Sequence, residues 1–119
     1  MKKLICLFGL AGMFLFSSCG QQYDAEGLVK DFVEENALNP DRMNILKFSK
    51  LNTTQVVKDS LIQDMQQREN PMFKKGIKYA TSTSGNLLYF LRMEYVYEND
   101  TLQQTFYLDE QLQQVVAFK

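Results

Sequence analysis

The sequence predicts an α+β domain in which two N-terminal helices pack on an antiparallel meander of three to four strands. Three observations carry the prediction. Apolar residues recur at helical spacing over residues 25–38 and 55–68, a strict alternation runs over 87–98, and the strands that follow are joined by turns too short for a crossover. A chain of 119 residues suits a single domain.

The first predicted helix runs from about Ala25 to Leu38. Asp24 offers an N-cap oxygen, and Leu28, Val29, Phe32, Val33 and Ala37 fall on one face. Asn39-Pro40 stops it, because Pro40 disfavours helical geometry at the residue before it. Met43 to Leu51 alternates imperfectly and reads as an edge strand or extended segment, with Lys47 and Lys50 suited to an exposed edge. Asn52-Thr53-Thr54 offers capping oxygens for a second helix from about Gln55 to Arg68, on which Val57, Leu61 and Met65 recur every fourth residue beside Ile62. Asn70-Pro71 ends that helix. Met72 to Tyr79 reads as loop or short strand, and Thr81 to Asn86 as loop.

The C-terminal third carries the sheet. Leu87, Tyr89, Leu91, Met93, Tyr95 and Tyr97 line one face of a strand, and Leu88, Phe90, Arg92, Glu94, Val96 and Glu98 line the other. Asn99-Asp100 turns into a strand from Thr101 to Leu108, and Asp109-Glu110-Gln111 turns again into Leu112 to Phe118. The apolar face of the first strand needs covering, and both upstream helices are expected to cover it. Leu88, Phe90 and Val96 are then left partly exposed, as a candidate surface for a partner or a second copy of the chain.

Residues 1–18 read as a processing segment rather than as part of this fold. Lys2 and Lys3 give a basic start, and Leu4 to Phe16 form an uncharged apolar run shorter than the roughly 20 residues that a membrane-spanning helix needs. The run ends in Phe16-Ser17-Ser18-Cys19, which resembles the lipobox of bacterial lipoprotein precursors, with Phe16 where that family usually carries Leu. The resemblance implies that the Cys19 sulfur takes a diacylglycerol, that the chain is cut before Cys19, and that the new amino group is acylated, as with palmitate. Residues 19–23 would then be a lipidated Cys with a short spacer, and 24–119 a single α+β domain in the cell envelope. The expected location is the outer membrane, facing periplasm or cell surface.

That reading disposes of both cysteines. Cys6 leaves with the leader and Cys19 is spent in a thioether, so no disulfide is expected and the core alone holds the domain. Cutting off Lys2 and Lys3 without any acid moves the formal charge from −1 to −3, which argues against nucleic acid, whose phosphates demand basic surfaces. The chain has no His, which removes His-based triads and His-containing metal sites together. No metal or cofactor is expected. Glu94 and Glu98 with Arg92 beside them form a nominal acid and base pair, for which a solvated outer face is the simpler reading.

The helix, extended segment, helix and meander resemble cystatin-like and NTF2-like α+β folds, in which a curved sheet wraps a helix. More weakly, the last 30 or so residues resemble the BamE-type outer-membrane assembly lipoproteins, through Tyr95-Val96-Tyr97, Phe106 to Glu110 and Leu112 to Val116. The helix-start and turn motifs of that family are missing from 52–71, so only architecture is carried over. The functional expectation is a lipid-anchored, non-catalytic envelope module that binds a protein partner, with a homodimer as one form of it. Its alternatives are a small-ligand or enzymatic NTF2-like pocket lined by Tyr89, Tyr95 and Tyr97, and an envelope inhibitor of a hydrolase. Lys74, Lys75 and Lys78 form a basic cluster that can meet an anionic partner or headgroups.

Overall fold

The computed structural model describes residues 13–80 and 87–119, with side chains from residue 20 onward. Of the expected leader, 1–18, residues 1–12 lie outside the described residues, as do the loop expected at 81–86 and the Cys19 side chain. Helix α1 spans Met13–Asn36, and a 3-10 turn at Pro40–Arg42 leads into β1, Met43–Phe48. Strand β2 is Asn52–Thr54, helix α2 is Asp59–Gln67, and β3, β4 and β5 are Leu88–Tyr97, Asp100–Leu108 and Val115–Phe118. The antiparallel sheet runs β1-β3-β4-β5, and β2 also pairs with β3, continuing the edge that β1 begins.

Of the apolar stripe predicted for the first helix, Val29, Phe32 and Val33 are buried, with Ala37 one residue beyond its end, while Leu28 is half-buried and Ala25 is buried as well. Its predicted start is not. The helix continues upstream of Asp24, which is exposed within it and is not an N-cap, since nothing from Met13 to Asp24 interrupts helical geometry and a glycine such as Gly20 weakens a helix by only about 1 kcal/mol. The helix ends at Asn36, two residues short of the predicted Leu38 and ahead of Asn39-Pro40. Past Asn36 the chain pairs with a later segment through an Ala37–Phe73 bridge, with Leu38 N–H donating to Met72 O at 3.0 Å and Lys74 N–H to Asn36 O at 2.8 Å.

The imperfect alternation of the β1 segment has a physical cause. The register with β3 shifts between Ile45 and Lys47, so Leu46 bulges out and is 49% exposed. The second helix is shorter than predicted. Asn52, Thr53 and Thr54 pair with Phe90, Tyr89 and Leu88, and Thr54 Oγ1 accepts the Val56 N–H at 3.3 Å. The residues expected to cap a helix therefore serve a strand and a turn, and α2 begins only at Asp59, without a side-chain cap. Ile62 and Met65 are buried, whereas Leu61 is 43% exposed.

The larger difference is where the helices lie. On one face α1 covers Leu91, Met93, Tyr95, Phe106, Leu108, Val115 and Phe118; on the other α2 brings Ile62 and Met65 to Leu88, Tyr107, Val116 and Ala117. The two helices thus sit on opposite faces, not together on one. The reason is in β4 and β5: Phe106-Tyr107-Leu108 and Val115 to Phe118 are buried throughout, and an apolar run without alternation needs cover on both sides. Around Phe118 the rings of Phe32, Phe73, Tyr79 and Phe106 gather at centroid distances of 4.6–6.3 Å.

Both hairpins differ in detail from the expected turns. Tyr97 pairs with Asp100, so the first turn is Glu98-Asn99, with Glu98 at φ 57°. The last strand starts at Val115 rather than Leu112. Asp109, only 6% exposed, accepts the backbone N–H groups of Gln113 and Gln114 on Oδ1 at 2.7 and 2.8 Å, which holds that stretch in a turn. Among the described residues no helix is long and apolar enough to cross a membrane.

Candidate functional site

Two regions stand out, the N-terminal end of the domain and a cleft near the end of α1. At the first, the residues expected to form a short spacer are helical and bonded to the sheet. Gln22 donates from Nε2 to Ser49 O at 3.1 Å and accepts the Leu51 N–H on Oε1 at 2.7 Å. One amide side chain thereby satisfies two backbone groups in the bend between β1 and β2. Gln21 Nε2 donates to the Tyr89 hydroxyl at 3.0 Å. The chain is therefore fixed to the fold within three residues of Cys19.

The second region is a cleft of about 670 Å³ between the end of α2 and the segment that bridges to Ala37. Leu38, Phe73, Ile77 and Tyr79 give it apolar walls, and Arg68, Lys74 and Lys75 stand against a single acid, Glu69. Gly76, at φ 71°, takes a left-handed conformation that glycine adopts without a Cβ penalty, and Tyr79 follows three residues on. A second concavity of similar volume opens on the other side of Gly76 and Tyr79, where Lys78 faces Asp31 and Glu35. The lysine cluster is thus divided. Lys74 and Lys75 belong to the cationic cleft, with Lys74 Nζ also donating to Glu35 O at 3.0 Å, and Lys78 belongs to the acidic one.

Burial pushes the Tyr79 hydroxyl up from 10.0 to about 12, so it stays a neutral donor at any physiological pH. A cationic rim, apolar walls and a neutral hydroxyl suit an anionic amphiphile. Among the described residues, no group of three or more Cys, Asp or Glu side chains gathers as metal ligands would.

The other candidate residues are dispersed. Tyr95 is fully buried in the core under α1, and its hydroxyl has no hydrogen-bond partner among the described residues. Tyr89 and Tyr97 are half-buried, the first bonded to Gln21 and the second accepting from Asn39 at 3.5 Å. None of the three lines either cleft beside Gly76. Leu88 is buried under α2, Phe90 packs against the same cluster, and Val96 is half-buried further along β3. Glu98 pairs with Arg42 at 3.4 Å in the hairpin turn, while Glu94 accepts from Gln103 at 3.3 Å on the strand. Arg92 is exposed.

Sequence reasoning missed Gln22, Asp109 and the apolar walls of the cationic cleft. Only the last had a legible signal, a glycine directly after Lys74-Lys75, which marks a sharp bend that can turn two lysines toward one side. No protein-family model, curated protein sequence or solved structure matches this chain.

Proposed function

We propose that the protein is a lipid-anchored binding module of a bacterial cell envelope, held at the membrane through Cys19. The observation that carries this reading is the Phe16-Ser17-Ser18-Cys19 motif closing an apolar run that begins after Lys2 and Lys3. The attachment of Gln21 and Gln22 to the sheet supports it, because a chain cut before Cys19 keeps these contacts and stays joined to the fold next to the lipidated residue. Two buried acyl chains give stable anchoring at about 0.8 kcal/mol per methylene. Intact-mass measurement of the purified protein, with membrane fractionation of Cys19→Ala, tests the reading. An acyl-bearing mass starting at Cys19 and release of the variant are expected; a membrane-bound Cys19→Ala overturns it.

A second reading is favoured by the cleft itself: the module takes a small anionic amphiphile between Arg68, Lys74 and Lys75 over Leu38, Phe73 and Ile77. Titration with a long-chain carboxylate, followed by the fluorescence of the tyrosines, checks this directly. Binding that survives Lys74→Glu/Lys75→Glu unchanged rules the cleft out. Cystatin-like or NTF2-like kinship has architectural support from α1 lying along one face of an antiparallel sheet, and α2 on the opposite face departs from that pattern.

A further inference from the structure

The lipid-anchor reading deepens when the end of the sheet nearest Cys19 is considered as a surface. The register fixes what lies there. Thr54 pairs with Leu88, the first residue of β3, so residues 55–58 run past the end of the sheet, and Leu108 pairs with Tyr89, so the turn that begins at Asp109 lies at the same end. Gln21 bonds to Tyr89 at this end, and Gln22 bonds to the Ser49–Leu51 bend beside it. The Glu98-Asn99 hairpin lies at the other end of β3, about 30 Å away along a ten-residue strand.

Gln22 stands three helical steps after Cys19, a rise of about 4.5 Å. A tether so short, bonded to the sheet at its first turn, leaves the anchored end no room to stand away from the lipid. The same end carries Val56, which is 85% exposed and is held out from the sheet end by the Thr54–Val56 turn. Burying a valine of that exposure favours association with an apolar phase. Lys50 and Lys58 are exposed near it, and Asp24, Asp59 and Glu110 at the same end outweigh their charge. Apolar contact and the short tether, rather than net charge, then hold the domain down.

We propose that, given the anchor at Cys19, the domain is clamped to the bilayer in one orientation, with the Val56 turn seated at headgroup depth and the Glu98-Asn99 hairpin pointing away. The occupant of this surface is the lipid bilayer. The Gln22 side chain is the clamp that converts a flexible attachment into a rigid one.

The test uses the lipidated full-length product in vesicles of phosphatidylethanolamine and phosphatidylglycerol, with an environment-sensitive fluorophore on Val56→Cys or on Asn99→Cys. The label at 56 is expected to shift to the blue and to be shielded several-fold from an aqueous quencher, and the label at 99 to remain fully accessible. Replacing phosphatidylglycerol with phosphatidylcholine leaves the pattern intact, because no excess of cations at this end draws it to the anionic lipid. Adding Gln22→Ala is expected to remove the difference between the two sites while the acyl mass is kept. Equal accessibility at both sites in a protein whose mass shows the lipid overturns the orientation and leaves the anchor standing. Full shielding in the Gln22→Ala protein refutes the clamp. A protein that carries no acyl mass overturns the anchor and the orientation with it.

Discussion

Replacing Asp109 tests whether a single buried carboxylate sets the start of the last strand. Its Oδ1 accepts two backbone N–H groups at 2.7 and 2.8 Å, from Gln113 and Gln114, and the residue is 6% exposed. Hydrogen bonds to a charged acceptor contribute about 1.5–3 kcal/mol each. The two share one oxygen and one turn, so they are coupled, and about 3 kcal/mol for Asp109→Ala is the expected loss. That is a large part of the roughly 5–15 kcal/mol that holds a domain of this size, and a fall of roughly 12–24 °C in melting temperature follows. Asp109→Asn keeps an acceptor oxygen without the charge, and about half the loss is expected. The chain has no Trp, so urea unfolding followed by tyrosine fluorescence and far-ultraviolet circular dichroism is the suitable assay. A loss below about 1 kcal/mol for the Ala variant, or equal losses for both variants, refutes the account of the turn.

Further outcomes follow from the core. Tyr95→Phe removes a buried hydroxyl that has no partner and is expected to leave stability unchanged or raise it by about 1 kcal/mol, whereas a clear fall in the urea midpoint shows that the hydroxyl is bonded. Phe118→Ala, at the centre of the ring cluster, is expected to cost about 3–5 kcal/mol, and Phe118→Leu far less, by the same measurement. Alkaline titration is governed by Tyr79. Its folded-state value lies near 12 and the unfolded one near 10.0, so the folded chain holds more protons between them. Its contribution to stability is complete below pH 10.0 and is lost as pH rises toward 12; Tyr79→Phe flattens that decline, and an unchanged pH profile counts against it. Tyr95 is displaced in the same direction by its burial.

The sheet was legible in the sequence because its signal is local. Ten residues of β3 alternate faces, and short turns leave β4 and β5 no other partners. The buried stripe of α1 was legible for the same reason, since Val29, Phe32 and Val33 repeat with the helical period. What could not be read depends on contacts distant in sequence. Thr53 and Thr54 are as good in a strand as before a helix, and only the pairing with Tyr89 and Leu88 decides between them. The placement of α2 behind the sheet was foreshadowed by the unbroken apolar run Val115 to Phe118, which asks for cover on two sides. The candidate site was legible only in its charges: Lys74, Lys75 and Lys78 are adjacent in sequence, yet Gly76 and Tyr79 divide them between two clefts.

The last strand also has a consequence for the order in which the molecule is made. Val115 and Phe118 belong to the cluster beneath α1, and Val116 and Ala117 to the one beneath α2, so four neighbouring residues complete both cores. A chain delivered N-terminus first has all of α1 and α2 in hand long before either has a finished surface to rest on. Neither core can close until residues 115–118 arrive. Both cores accordingly close together, in one late step that waits for the C-terminal strand.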